Sequence, residues 1–343
     1  MKTHVITADP ERYEESCLSG AADLLKAGEL VAFPTETVYG LGADGTNDSA
    51  VKKIFEAKGR PQNNPLILHF SNVSECSEFA ECDDRFYALA DAFMPGPLTV
   101  VLPSKGICAP SVTAGLDSVG VRVPVHPVAR SLIKACGKPI AAPSANLSGR
   151  PSPTTADHVI KDLDGKVGII IDGGACTVGL ESTIVKLDKD KATLLRPGGI
   201  TLEMLRAVLG EVAVAPEVLS PPEPGAVPLS PGMLLKHYSP KAPLYLVRSE
   251  KHEKRAEFFR ESALCGENAV ICFEGDAPAS KNVFYLGTRE DEAEHARRLF
   301  DLLRLADEGG AKRIYAPMPS GDGIGLALQN RMLRAAAFRI KDI

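Results

Sequence analysis

Apolar positions recur along the chain in two rhythms, one of about 3.6 residues and one of about two, and the switches between them mark out the elements. Residues 12–28 follow the helical rhythm, with Cys17, Ala21, Leu24 and Leu25 on one face and Gly28 as the stop. The apolar run 30–33 reads as a buried strand ending at Pro34, which has no N–H for a sheet ladder. A helix with Asp48 as N-cap runs through Val51, Ile54 and Phe55. It closes on Ala57-Lys58-Gly59-Arg60-Pro61, where Gly59 can turn left-handed and Pro61 blocks continuation. Residues 65–70 alternate, placing Leu66, Leu68 and Phe70 on one face and Ile67 and His69 on the other. Next come a helix around Phe86, Leu89, Ala90 and Phe93, strands at 98–102 and 118–124, and a helix at 127–136. A strand from 139 runs into the small-residue loop Pro143-Ser144-Ala145-Asn146. A helix at 156–163, strands at 167–171 and 181–187, and a helix at 201–209 complete a first domain, residues 1–212.

The pattern then breaks. Residues 214–243 hold eight prolines and few charges, as an extended linker would, and the whole connection is placed at 213–243. Within it, His237-Tyr238-Ser239-Pro240 carries more side-chain chemistry than a spacer needs. Beyond it, strands at 244–247, 269–273, 283–286 and 313–316 alternate with helices at 252–264, 291–306 and 325–338. That order makes 244–343 a small parallel sheet of the doubly wound, Rossmann-like type. The fold class expected is α/β, an open mixed sheet with helices followed by this smaller domain.

Composition narrows the classes of function. In 343 residues, 44% hydrophobic and 24% charged, the net charge is −5, which argues against a broad nucleic-acid or anionic-membrane surface. No run approaches a membrane span, and residues 1–10 lack the apolar core of a signal peptide. The eight cysteines are scattered without a C-x-x-C pair, as small buried residues of a reducing cytoplasm would be. The expected location is cytoplasmic.

Candidate chemistry clusters in the loops. Pro34-Thr35-Glu36-Thr37-Val38-Tyr39-Gly40-Leu41-Gly42 packs two hydroxyls, a carboxylate and a phenol beside glycines that would let backbone approach a ligand. An ordinary polar turn whose hydroxyls satisfy backbone donors fits the same residues. In Ser118-Val119-Gly120-Val121-Arg122, the valines face a core and Arg122 faces the other way, as an anion clamp or on a wet face. His69 reads as a packed histidine or a ligand. Lys58, Arg60, Arg122 and Arg196, together with Thr35, Thr37, Ser144, Ser182, Asn64, Asn146 and His69, suit a polyanion plus a small zwitterion. There is no G-x-x-x-x-G-K-[ST] loop and no G-x-S-x-G elbow. Cationic clamps without a nucleophile point to electrostatic stabilisation of phosphoryl or nucleotidyl transfer.

Pro34-Thr35-Glu36-Thr37-Val38-Tyr39-Gly40, Lys58-Gly59-Arg60-Pro61, Gly120-Val121-Arg122-Val123-Pro124, Pro143-Ser144-Ala145-Asn146 and Ser182-Thr183 together resemble the YrdC-type domain. With the linker motif and the C-terminal α/β domain, the chain resembles the two-domain L-threonylcarbamoyladenylate synthases over nearly its whole length. The resemblance implies that L-threonine, bicarbonate and ATP, with Mg2+, give threonylcarbamoyl-AMP and pyrophosphate. Separate transferase machinery would then modify adenosine beside the anticodon of certain tRNAs, and direct tRNA binding by this chain is not expected. It implies Lys58, Arg60, Ser144 and Asn146 as the catalytic set and Thr37, His69, Arg122, Ala142 and Ser182 as the threonine site. For ATP it implies Arg60, Asn64, Ser118, Ser144, Ser152, Arg196 and Tyr238, the last as a lid; no protein ligands for a metal are assigned. Three rivals are an RNA-binding module, a related carbamoyl-adenylate-forming enzyme of hydrogenase maturation, disfavoured because its paired C-x-x-C motifs are absent, and an enzyme acting on serine, since a lost methyl discriminates by only ~1 kcal/mol.

Overall fold

The computed structural model describes residues 2–221 and 237–343, which form two compact units. One holds Ser152–Val218 and the described residues before Gly149; the other holds 237–343 with Gly149–Pro151 and 219–221. Half of the proline-rich stretch, residues 222–236, lies outside the described residues.

The first unit is built on one mixed sheet. Its described strands are β1 (His4–Thr7), β2 (Val31–Phe33), β3 (Gly40–Asp44), β4 (Ile67–His69), β5 (Leu98–Pro103) and β6 (Ser118–Arg122). They continue with β7 (Ile140–Ala142), β8 (Ile169–Asp172), β9 (Thr183–Leu187), β10 (Ala192–Arg196) and β11 (Ala213–Val214). The spatial order is β1-β8-β2-β3-β7-β4-β6-β5-β9-β10-β11, with parallel and antiparallel pairings interleaved. The central strands are buried on both faces, so they read as apolar runs or short alternations.

Helices Ser19–Lys26 and Pro127–Cys136 cover one face of this sheet. Leu18, Leu25, Val128, Leu132 and Ile133 pack there with Phe33, Ile140 and Ile171. Each such fully buried aliphatic side chain contributes about 1.5–3 kcal/mol relative to exposure. Helix Asp48–Lys58 ends as its sequence dictates, with Gly59 left-handed at φ 61°. Its start differs by one residue: Asn47 is the N-cap, accepting from the Ala50 N–H at 3.2 Å, and Asp48 is the first helical residue. There its carboxylate complements the helix dipole and pairs with Lys52.

The glycine-rich stretch after β2 holds a further departure from expectation. Residues 40–44 are a strand antiparallel to β2, so the ligand loop is only residues 34–39. Gly40 and Gly42 make room for the Phe33 ring: a Cβ on Gly42 would lie 2.7 Å from Ile140 and 2.9 Å from Phe33. Their absence of side chain lets the Phe33 ring pack against the strand.

In the second unit β12 (Leu244–Arg248), β13 (Asn268–Cys272), β14 (Val283–Tyr285), β15 (Arg313–Pro317) and β16 (Ile340–Asp342) form one parallel sheet. The order is β14-β13-β15-β12-β16, with crossover helices including His252–Leu264, Glu292–Glu308 and Gly323–Ala335, which is the doubly wound type expected. No helix among the described residues is long and apolar enough to cross a membrane.

Candidate active site

Register places the polar side chains in a row. His69 on β4 is opposite Arg122 on β6, Thr99 on β5 is opposite Ile184 on β9, and Ile184 is opposite Arg196 on β10. Because Val100 pairs with Val121, Thr99 is the β5 neighbour of Arg122. Directly opposed residues share a face, so His69, Arg122, Thr99 and Arg196 lie along one side of the sheet. Ile140, opposite His69 on β7, belongs to the core under the two helices, so the polar row continues that face beyond the helices. Ala142 lies on the same face two residues along β7, opposite Ile67.

The loop 34–39 folds onto this row. Thr35 makes the loop: its Oγ1 accepts from the Thr37 and Val38 N–H groups at 3.2 and 3.3 Å and donates to the Val38 carbonyl at 2.6 Å. Tyr39 anchors it, its hydroxyl donating to the Gly174 carbonyl at 2.7 Å and accepting from the Gly173 N–H at 3.2 Å. Burial pushes the Tyr39 hydroxyl far above its ordinary pKa, so it remains a phenol. Glu36 and Thr37 then meet Arg122, whose Nη2 donates to Glu36 Oε1 at 2.6 Å and to Thr37 Oγ1 at 2.9 Å. Thr35 is thus the turn-former, while Glu36 and Thr37 turn to Arg122.

The Glu36–Arg122 pair is nearly water-free, with side-chain exposures of 4% and 5%. Beside it His69 is held at a pKa of about 3, by burial first and by the Arg122 charge second. Its Nδ1 donates to the Ile67 carbonyl at 3.2 Å, and its ring meets Phe33 edge-on. The ring is a neutral hydrogen-bonding group at physiological pH.

A second cluster forms where the helix Asp48–Lys58 meets the loop after β7. Lys58 Nζ donates to the Ser144 and Asn146 carbonyls, each at 2.5 Å, and Ser144 Oγ donates to Asn146 Oδ1 at 2.5 Å. Arg60 donates to the Asn64 and Pro65 carbonyls at 3.3 and 3.1 Å. Asn64 is fully buried, yet neither Oδ1 nor Nδ2 has a partner among the described residues. A buried amide left idle is costly, and a ligand is one reason to keep it.

A third cluster joins Ser182 and Arg196. Ser182 Oγ shares a 2.8 Å hydrogen bond with Thr99, and Arg196 Nη2 donates to the same oxygen at 3.1 Å while its Nε donates to the Ser182 carbonyl at 3.0 Å. Ser152 is wholly buried and donates to Glu181, while Ser118 begins β6 half-buried. Tyr238 belongs to the second unit: it is fully buried at φ 61°, with Phe300 at 5.3 Å and the Arg331 guanidinium at 5.6 Å. Sequence reasoning gave no role to Glu36, Thr99 or Glu181. The lone threonine within the apolar run 98–102 and the carboxylate between Thr35 and Thr37 were the available signals. Burial raises the thiol pKa of Cys176 and Cys76 well above the ordinary value, which disfavours their thiolate forms.

Sheet, loop and polar row together define a YrdC-type domain, carried in one chain with a small parallel α/β unit. The sequence matches the Sua5/YciO/YrdC family model, described as telomere recombination, over residues 23–198. Residues 200–337 match the threonylcarbamoyl-AMP synthase C-terminal domain. The chain belongs to the threonylcarbamoyl-AMP synthase family. It is 43% identical to the threonylcarbamoyl-AMP synthase of Pyrococcus abyssi, covering 96% of this chain and 97% of that protein. It is 42% identical to that of Bacillus subtilis, covering 97% and 95%. The crystal structure of P. abyssi Sua5 complexed with L-threonine superposes with a TM-score of 0.93 at 42% identity over 99% of each chain.

Proposed function

We propose that this protein joins L-threonine, bicarbonate and ATP into threonylcarbamoyl-AMP with release of pyrophosphate, in the cytoplasm. The product would be the donor for threonylcarbamoyl modification of tRNA by separate transfer machinery. The observation that carries this reading is Arg122: a guanidinium buried on the polar face of the sheet, flanked by Thr37 and His69, and keeping its Nε without a partner among the described residues. A bidentate cation of that kind is a receptor for a carboxylate. The family supplies the amino acid, since the related P. abyssi structure holds L-threonine.

The chemistry then follows from what the pocket can hold. Threonine's carboxylate sits on Arg122, and its side-chain hydroxyl finds neutral partners among Thr37, His69, Ala142's backbone and Ser182. The amine attacks carbon dioxide derived from bicarbonate to give a carbamate. Carbamates revert readily, so exclusion of water and close placement of the nucleotide raise the yield of the next step. The carbamate oxygen attacks the α-phosphorus, and pyrophosphate leaves. Lys58, Arg60 and Arg196 balance the charge that builds on the phosphates, while Asn64, Ser118, Ser144, Asn146 and Ser152 orient the nucleotide. Among the described residues no three His, Cys, Asp or Glu side chains are placed to hold a metal ion. Magnesium would enter bound to the triphosphate, as part of the substrate, and would offset charge on the phosphates.

The test is incorporation of isotope-labelled bicarbonate, read by mass spectrometry. An adenylate carrying both threonine and the labelled carbon is expected. An unlabelled threonyl adenylate would overturn the carbamate route.

A further inference from the structure

The buried Glu36–Arg122 pair leaves hydrogen-bonding capacity unused on both halves. Arg122 spends a single nitrogen, Nη2, on Glu36 Oε1 and Thr37 Oγ1. On each partner one buried polar atom is left over: Arg122 Nε and Glu36 Oε2 have no hydrogen-bond partner among the described residues. A buried pair that served only the fold would saturate these atoms, because an idle charged group out of water is strongly unfavourable. Here an idle donor on a cation lies next to an idle acceptor on an anion. That is the complement of a compact zwitterion such as an α-amino acid.

We propose that Glu36 receives the ammonium group of the substrate and takes the first proton it loses, completing with Arg122 a receptor for the zwitterion; this rests on the reading of the pocket as an L-threonine site. The neighbours leave the role to Glu36. His69, held neutral, offers no charge to an ammonium. Thr37, Thr99 and Ser182 are neutral hydroxyls already engaged with one another's partners. Glu181 is the acceptor for Ser152. Glu36 is also fixed in place, since its backbone carbonyl accepts from the Val178 N–H at 2.8 Å and its loop is tied by Thr35 and Tyr39.

The proton balance is complete. One N–H bond of the ammonium breaks, and the proton goes to Glu36 Oε2. The electron pair left on nitrogen forms the N–C bond to carbon dioxide, and a C=O π pair moves onto oxygen. The second nitrogen proton leaves to solvent, giving the carbamate anion. Before that attack the proton on Glu36 passes to the hydroxyl of bicarbonate, which leaves as water, so the carbon dioxide is formed and the carboxylate regenerated.

The experiment compares the wild-type chain with Glu36→Gln and Glu36→Asp, reading turnover and direct binding of L-threonine. The probe for charge is the hydroxy acid that keeps threonine's carboxylate and side chain but has a hydroxyl in place of the ammonium. Glu36→Gln retains the oxygen facing Arg122 and is expected to raise the KM for threonine by roughly 10- to 100-fold while leaving the KM for ATP within about twofold. It is also expected to lower kcat and to bind the hydroxy acid about as well as threonine, whereas the wild type discriminates against it. Glu36→Asp keeps the charge and is expected to recover preference for threonine over the hydroxy acid, which covers the case in which the Gln variant fails to fold. Unchanged threonine KM and kcat in Glu36→Gln, or parallel loss of threonine and hydroxy acid, would overturn the role. A wild type whose turnover ignores threonine would instead remove the threonine reading itself, and this proposal with it.

Discussion

Asn64 shows what a ligand site asks of a single side chain. Its amide is completely buried with both polar atoms idle among the described residues, a state that disfavours the ligand-free fold by about 1–3 kcal/mol. Asn64→Leu, similar in volume and apolar, is therefore expected to hold or raise the melting temperature while weakening ATP binding by about tenfold or more. Thermal melts beside nucleotide titrations check both halves; a lower melting temperature with normal ATP affinity would make Asn64 structural. His69 gives a pH signature. In the folded protein its pKa is depressed to about 3 by burial and by Arg122, against about 6.5 in the unfolded chain. Between those values the unfolded chain binds a proton that the folded protein refuses, so stability falls as pH drops from about 6.5 towards 3. His69→Gln removes this contribution, and its melting temperature is expected to fall less steeply than the wild type's between about pH 7 and about pH 4. Equal slopes would contradict the assignment. At this scale the sequence showed where polar side chains cluster and was silent about whom they meet. Arg122 could be placed on the face opposite the valines, but Glu36, some 86 positions away in sequence, could not be paired with it from spacing alone.

Among the elements, the pairing of β9 with β10 holds the third cluster together. Arg196 ends β10 opposite Ile184, and the chain turns through Pro197-Gly198-Gly199 against the entry to β9. A Cβ on Gly198 would lie 2.5 Å from the Thr183 nitrogen and 2.7 Å from the Glu181 carbonyl, both backbone atoms that cannot swing aside. Gly198→Ala is expected to destabilise the protein by about 1–3 kcal/mol and, by shifting Ser182 and Glu181, to weaken substrate binding as well. Denaturant titration together with threonine affinity tests this; a neutral substitution would mean the turn has slack. The long periodic helices were legible: 127–136, 156–163 and 252–264 match the residues expected. Three short strands, β1, β3 and β10, were not. β1 is largely exposed and lacks an apolar run, β3 is half glycine and reads as a loop, and β10 reads as the approach to a turn. Each becomes a strand because of its partner, β8, β2 or β9, and that information is non-local.

For the whole molecule, each unit has its own sheet and its own architecture, mixed in the first and parallel in the second. The alternation of strand and helix after residue 243 made the parallel sheet legible, because parallel neighbours need crossovers. The first sheet's strand order was not legible, since short mixed pairings are compatible with many orders. The first unit holds a water-poor Glu36–Arg122 pair beside a neutral histidine, with Lys58, Arg60 and Arg196 in two further polar clusters, and under the proposed function these would suit a labile carbamate captured by adenylylation. The most direct measurement is pyrophosphate release from ATP, with threonine and bicarbonate each omitted in turn. Release that requires both is the expected result. Release with threonine alone after rigorous removal of bicarbonate, or no release from folded protein under any condition, would contradict carbamate formation followed by nucleotidyl transfer.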